Sequence, residues 1–406
     1  MKSDIRKIYQ SSKDVVLTTK LGTRQELETV VEGEMTEETK RFIRLMEEIN
    51  GPFEPEYSFS VVKNVLSFID KYYFRARFVG IDKGFPERND PLHPLIYASN
   101  HSGMSFPWDG IMIASKMLRI NQMNFSKSIR PVVAPMLSQS IYMNPFMISD
   151  FWKRLGGVDA TLENFEAMMH SPDANILIYP EGVPGIGKGF DKRYQLQRVS
   201  SSFIRMSLKF GVDIVPVSTI NGEFLNPYSY KSDQLNKIVN QLKIPFLPLG
   251  PITAIVPFAP WAFYFALPAK LVFCIGKPIK TYELVDKPFH KIKKKDINYV
   301  KSIVQKEMQR EIEEGLELYG KDPFEWDELR DLWANNMDKI LYIMPSGWPT
   351  LFLEHDRLYK ENKGKEFQMD YSNGAFIAAN FKNQDSIPFN IPVAGWFMLL
   401  KNKGII

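Results

Sequence analysis

Of the five histidines in this 406-residue chain, His101 stands one residue beyond the apolar run PLIYAS, after Asn100, with the carboxylate of Asp109 following in the same loop. A histidine oriented by a carboxylate can take a proton from a hydroxyl, the carboxylate holding the imidazole tautomer and stabilising its positive form. Position alone equally admits a loop histidine followed by an aspartate at a helix start, because histidine titrates near neutrality whether or not it is catalytic. A second group of residues, YPEGVPGIGKGFDKRYQLQR, runs from Tyr179 to Arg198 and also begins where an apolar run ends. Its glycines let backbone approach a ligand closely, while Lys188, Lys192, Arg193 and Arg198 supply donors for phosphate or carboxylate. Glu181 can anchor the turn by accepting backbone or hydroxyl hydrogens. The segment lacks GxxxxGK[ST] and is not a P-loop; taken alone it also reads as a surface loop with a solvated basic face.

The elements that must position these residues alternate along the chain. MTEETKRFIRLMEEI, with Thr36 as cap and Phe42, Ile43, Leu45, Met46 and Ile49 apolar, predicts a helix that Gly51-Pro52 stops. A second helical pattern covers roughly residues 58–72, followed by strand-like RARFVG and PLIYAS. His101 therefore follows a buried strand, and Asp109 opens the helical run DGIMIASKML, where a carboxylate at an N-terminus is favourable. Strand-like residues 130–135, helix-like 161–170, strand-like 175–180, a helix near 194–210 and strands at 213–219 and 270–276 continue the pattern. This predicts an α/β fold, a mainly parallel or mixed sheet flanked by helices, in which ligands bind at the carboxyl ends of the strands. A charged helix is expected over 296–319, and the aromatic tail beyond about 320 gives no clear pattern. The expected organisation is a helical N-terminal extension (1–60), an α/β domain (61–290) and a C-terminal helix and extension (291–406).

Hydrophobic content of 44% with 24% charged residues suits a folded chain, and a net charge of +4 argues against a nucleic-acid binder. The single cysteine, Cys274, allows no internal disulfide and no thiol-based metal cluster, and its setting in LVFCIG reads as core. The N-terminal MKSDIRKIYQSSKD has no apolar h-region, so the expected location is the cytosolic side. Residues 244–269 carry no charge and are long enough to cross a bilayer, but six prolines break any regular helix there, at roughly 3 kcal/mol for each interior proline.

Together, NHSGMSFPWDG and IYPEG resemble the glycerolipid acyltransferases typified by lysophosphatidic acid acyltransferase, in a divergent bacterial form. That family has a His-Asp pair, usually separated by four residues, then a strand ending in Phe-Pro-Glu-Gly; order and interval agree here, with about eighty residues between His101 and Glu181. RLGGVDAT (154–161) falls where the family's acceptor-holding motif lies, Ile214-Val215-Pro216-Val217 resembles its apolar fourth element, and the likeness covers roughly residues 70–285. Two departures stand out. Seven residues separate His101 from Asp109, and Val183-Pro184 stands where the family commonly has an arginine soon after Glu-Gly.

The resemblance implies transfer of a fatty acyl group from acyl-CoA or acyl carrier protein to a hydroxyl of a lysophospholipid or other glycerolipid, with no metal or redox cofactor. His101 would be the base and Asp109 its orienting partner. Glu181, Gly182, Lys188, Lys192, Arg193 and Arg198 would hold substrate, and backbone N–H groups near Gly103 or Gly182 would stabilise the oxyanion. A lipid acceptor implies peripheral membrane contact, through Trp261, Phe263, Tyr264 and Phe265 in the proline-rich stretch and the basic run Lys291 to Lys295. The missing arginine leaves open a non-phosphate acceptor such as a glycolipid, an aminolipid or a pigment alcohol. A non-catalytic lipid-binding protein on the same fold is the reading from a different class. Two roles are open for the terminal extensions, capping the lipid site or dimerisation.

Overall fold

The structure, a computed structural model, describes residues 37–406. The cap expected at Thr36 and the N-terminal segment read for targeting lie outside the described residues. Helix α1 (Glu37–Asn50) is followed by α2 (55–74), whose α-helical turns alternate with π-type turns at Val62–Leu66 and Asp70–Phe74. Asp70 closes α2 by accepting from the Ala76 N–H, and its other oxygen pairs with Lys116 and Arg119.

Seven strands follow: β1 (Arg77–Val79), β2 (Ile96–Ser99), β3 (Ile129–Val133), β4 (Val158–Asp159), β5 (Asn175–Ile178), β6 (Ile214–Ile220) and β7 (Val272–Ile275). They form one sheet in the order β1-β7-β6-β2-β5-β3-β4, parallel throughout except where β7 runs antiparallel to β6. The central strands are buried along their whole length, as expected of strands covered on both faces. Alternation along them divides the core: Tyr97, Leu177, Val215 and Phe273 point to one side, Ile96, Ile176 and Ile214 to the other.

On the first side lie α2 and α3 (Trp108–Ile120); on the second lie α1, α4 (Leu162–Met168), α6 (Ser202–Phe210) and α9 (Lys294–Tyr319). Short helices α5 (Val183–Ile186), α7 (Asp233–Val239) and α8 (Pro251–Ile255) punctuate the loops. The tail adds α10 (Trp326–Ala334), α11 (Trp348–Glu361), α12 (Asn373–Lys382) and α13 (Ala394–Asn402), with Trp348, Leu351 and Phe352 packed into the first core.

Several expectations need correction. The boundary at 60 falls inside α2, and α9 lies directly on β6, so neither extension is separate from the α/β core. The helix expected from Tyr194 starts only at Ser202, because residues 194–201 are drawn to buried carboxylates. The two-residue β4 had no recognisable pattern. Lys291 to Lys295 do not adjoin the proline-rich stretch: Phe289, Ile292 and Ile297 pack on the second side of the sheet, whereas Ile244 and Tyr264 pack on the first. Among the described residues, no helix is long and apolar enough to cross a membrane.

Candidate active site

Where β2 ends, Asn100 continues the sheet with its side chain: its amide donates to the Thr219 carbonyl (3.1 Å) and its oxygen accepts from the Thr219 N–H (2.8 Å). The next residue, His101, is thereby fixed at the carboxyl edge of the sheet, and its N–H donates to Glu181 Oε1 at 3.0 Å. The long loop to Asp109 is absorbed by a left-handed turn at Met104 (φ 54°), whose N–H donates to the Ile186 carbonyl and whose carbonyl accepts from Asn226. Trp108 then anchors the start of α3. Its indole donates to the Tyr264 carbonyl at 2.8 Å, and its ring sits edge-on to Trp348 with centroids 5.0 Å apart.

Asp109 Oδ2 lies 3.4 Å from His101 Nδ1 and also accepts from the Ser102 N–H at 3.1 Å, while Oδ1 accepts from the Gly110 N–H at 2.8 Å. Burial opposes the aspartate's charge, but hydrogen bonds from His101 and the Ser102 backbone prevail and hold its carboxyl below the usual range. The carboxylate side chain is 1% exposed and the imidazole 13%. Tyr179 stacks on the imidazole, centroids 3.9 Å apart and planes 11° from parallel. With Nδ1 turned to Asp109, Nε2 has no partner among the described residues and the ring borders a cavity. A base held in this way can accept a proton; the 3.4 Å separation is loose, as is common before substrate binds.

The segment after β5 is built around a buried cation. Lys188 Nζ lies 3.9 Å from Glu181 Oε2 and 3.5 Å from Glu223 Oε1, and none of the three side chains is more than 1% exposed. Glu181 Oε2 accepts from the Gln197 N–H at 2.6 Å, and Glu223 Oε1 from the Tyr194 N–H at 3.1 Å. Burial pushes the Glu223 carboxyl up despite Lys188. Glu181 anchors its turn as expected, by accepting from backbone N–H groups, and this role occupies it and Lys188, both also expected to hold substrate: Lys188 could not turn to a ligand without leaving two buried carboxylates unpaired. Lys192 and Arg193 are exposed, Arg193 lying over the Phe190 ring. Arg198, also exposed, lines a cleft with Thr161, Ser200 and Ser202 that shares Tyr179 and Gly182 with the main cavity.

Neither glycine expected to supply an oxyanion donor does so simply. Gly182 adopts φ 61°, ψ −152°, a conformation essentially restricted to glycine, but its N–H is engaged by the Tyr179 carbonyl at 2.9 Å. Gly103 packs against the Lys188 carbonyl and is not on the cavity wall. Val183 is on that wall; as the first residue of α5, its N–H has no intrahelical acceptor and no partner among the described residues. Sequence reasoning missed this donor, together with Glu223 and the stacked Tyr179.

The cavity beside His101 has a volume of about 230 Å³, and among the described residues no Asp, Glu, Lys or Arg lines it. Its walls come from α2 (Val62, Leu66), α3 (Ile111, Ala114) and the proline-rich stretch (Phe246, Val256). Leu155, Gly157 and Ala160 of the RLGGVDAT segment border it too, whereas Arg154 turns away to Glu54 and Asp356. The 244–269 stretch is thus neither a span nor plain core; it forms a wall.

No family model matches the chain. Uncharacterized proteins of Mycobacterium tuberculosis, Mycobacterium bovis and Mycobacterium leprae are 26% identical over 230 residues, or 56% of this chain. The chain spans 59% of the length of the M. tuberculosis and M. bovis relatives and 57% of the M. leprae protein. Among solved structures, the 1-acyl-sn-glycerophosphate (LPA) acyltransferase PlsC from Thermotoga maritima matches 61% of this chain and 81% of its own, at 15% identity and a TM-score of 0.32, too remote to bear on activity.

Proposed function

We propose that this chain is an O-acyltransferase that moves a fatty acyl group from a thioester to the hydroxyl of a lipid. The observation that carries the reading is His101, backed by the buried Asp109, on the wall of an apolar cavity that no charged side chain of the described residues lines. Such a cavity suits a hydrocarbon chain and offers nothing to a charged metabolite.

In the reaction, His101 Nε2 takes the acceptor's hydroxyl proton as that oxygen attacks the thioester carbonyl. The tetrahedral intermediate collapses by breaking the C–S bond, and the thiolate recovers the proton from the imidazolium. Asp109, ionised and buried, stabilises that imidazolium. The Val183 N–H is the donor best situated for the oxyanion. The thioester is carried by coenzyme A or by acyl carrier protein.

A non-phosphate acceptor is favoured by one observation: Lys188 is buried between two glutamates, and Val183-Pro184 supplies no cation beside Gly182. Arg198 in the adjoining cleft is the residue that would serve a phosphate-bearing acceptor. Incubation with labelled acyl-CoA and a panel of lysophospholipids, glycolipids and simple alcohols, with products identified by mass spectrometry, tests the proposal. An acyl ester is expected; acyl-CoA bound without turnover across the panel would instead support a lipid-binding protein.

A further inference from the structure

We infer that the face built by α12, α13 and the turn after α8 docks in the plane of an anionic lipid bilayer, next to the cavity. Phe381, Phe397 and Phe258 expose 78%, 62% and 62% of their surface, and Ile377 and Val393 are also more than half exposed. Ile377 and Phe381 are one helical turn apart on α12, and Val393 and Phe397 flank the first turn of α13, so the exposed groups form stripes.

Three observations identify a bilayer as the occupant. Between Asn373 and Leu400 the only charged residues are Lys382 and Asp385, in a chain that is 24% charged overall. The rim is basic: Lys382 ends α12, and Lys401 and Lys403 follow the apolar part of α13, which complements anionic headgroups. The face is also continuous with the cavity wall. The Trp396 indole donates to the Val256 carbonyl at 3.0 Å, its ring approaches Phe263 edge-on, and both Val256 and Phe263 line the cavity. Val256 is thus shared by the face and the cavity wall, so an apolar chain at the face lies next to the cavity. The helices that build the face have ten and nine residues, about half the roughly 20 needed to span a bilayer, so the contact of this face lies in the interface plane.

The inference deepens the acyl-transfer reading by naming the phase from which the lipid comes, but its test requires no turnover. The full chain is floated with vesicles of phosphatidylglycerol and phosphatidylethanolamine in equal parts, and with vesicles of phosphatidylcholine alone. Wild type is expected to float with the anionic vesicles. Phe381→Glu/Phe397→Glu should bind at least about tenfold more weakly with unchanged circular dichroism. Lys382→Glu/Lys401→Glu/Lys403→Glu should lose the preference for anionic lipid. Wild type that floats with neither vesicle overturns the inference. So does flotation indifferent to the two glutamates, or a dimer in solution that they split, which assigns the face to a second copy. Transfer to a water-soluble alcohol without vesicles should survive in Phe381→Glu/Phe397→Glu, so failures of docking and of chemistry read out separately.

Discussion

His101 and Asp109 meet across seven intervening residues because the loop is tied at both flanks: Met104 to Ile186 and Asn226, Trp108 to Tyr264 and Trp348. The extra length is taken up inside the protein, residues 102–108 all being buried. Tyr179 contributes its ring rather than its hydroxyl, which is buried beside Gly110 without a hydrogen-bond partner among the described residues. Burial, reinforced by the charge of Asp109, pushes that phenol well above its usual range, so it stays protonated. An unsatisfied buried hydroxyl costs about 1–3 kcal/mol, and Tyr179→Phe keeps the stack on His101 while removing it. The variant should therefore be more stable by about 1 kcal/mol in urea unfolding. A loss of similar size would mean that the hydroxyl has a partner such as water.

The loop after β5 depends on Lys188. Lys188→Met leaves Glu181 and Glu223 facing each other with no cation between them, a loss of about 3–5 kcal/mol by the usual cost of breaking a buried pair. Adding Glu223→Gln should recover part of that stability and, through Glu181, the hold on the His101 N–H. A double variant no more stable than Lys188→Met would assign the loss to packing. Glu181 as the anchor of the turn was legible, but its pairing through Lys188 with Glu223 was not, since a lysine among glycines reads as a solvated loop and Glu223 is 35 residues away with no motif to mark it. The strands carrying His101 and Glu181 were legible because each is a short apolar run closed by polar residues. The tail was not, because α12 and α13 are apolar on faces left exposed among the described residues, which blurs the helical period.

At the scale of the molecule, one cavity draws its walls from segments far apart in sequence, from Val62 on α2 to Phe265 in the proline-rich stretch. The walls leave room for an apolar chain and the sheet edge supplies the base, so chain length should be set by how far the cavity extends along α3. Ala114 lines it one helical turn beyond Gly110, and Ala114→Phe should shift the acyl products toward shorter chains in a mixed-thioester competition read by mass spectrometry. An unchanged product distribution would place the chain elsewhere. The central claim is that His101 is the base for acyl transfer. Its most direct test is the rate of ester formation by wild type and His101→Ala with the best acceptor from the panel. The account predicts a loss of about 10²–10⁴-fold at unchanged stability. A His101→Ala protein that forms the ester at the wild-type rate would contradict it.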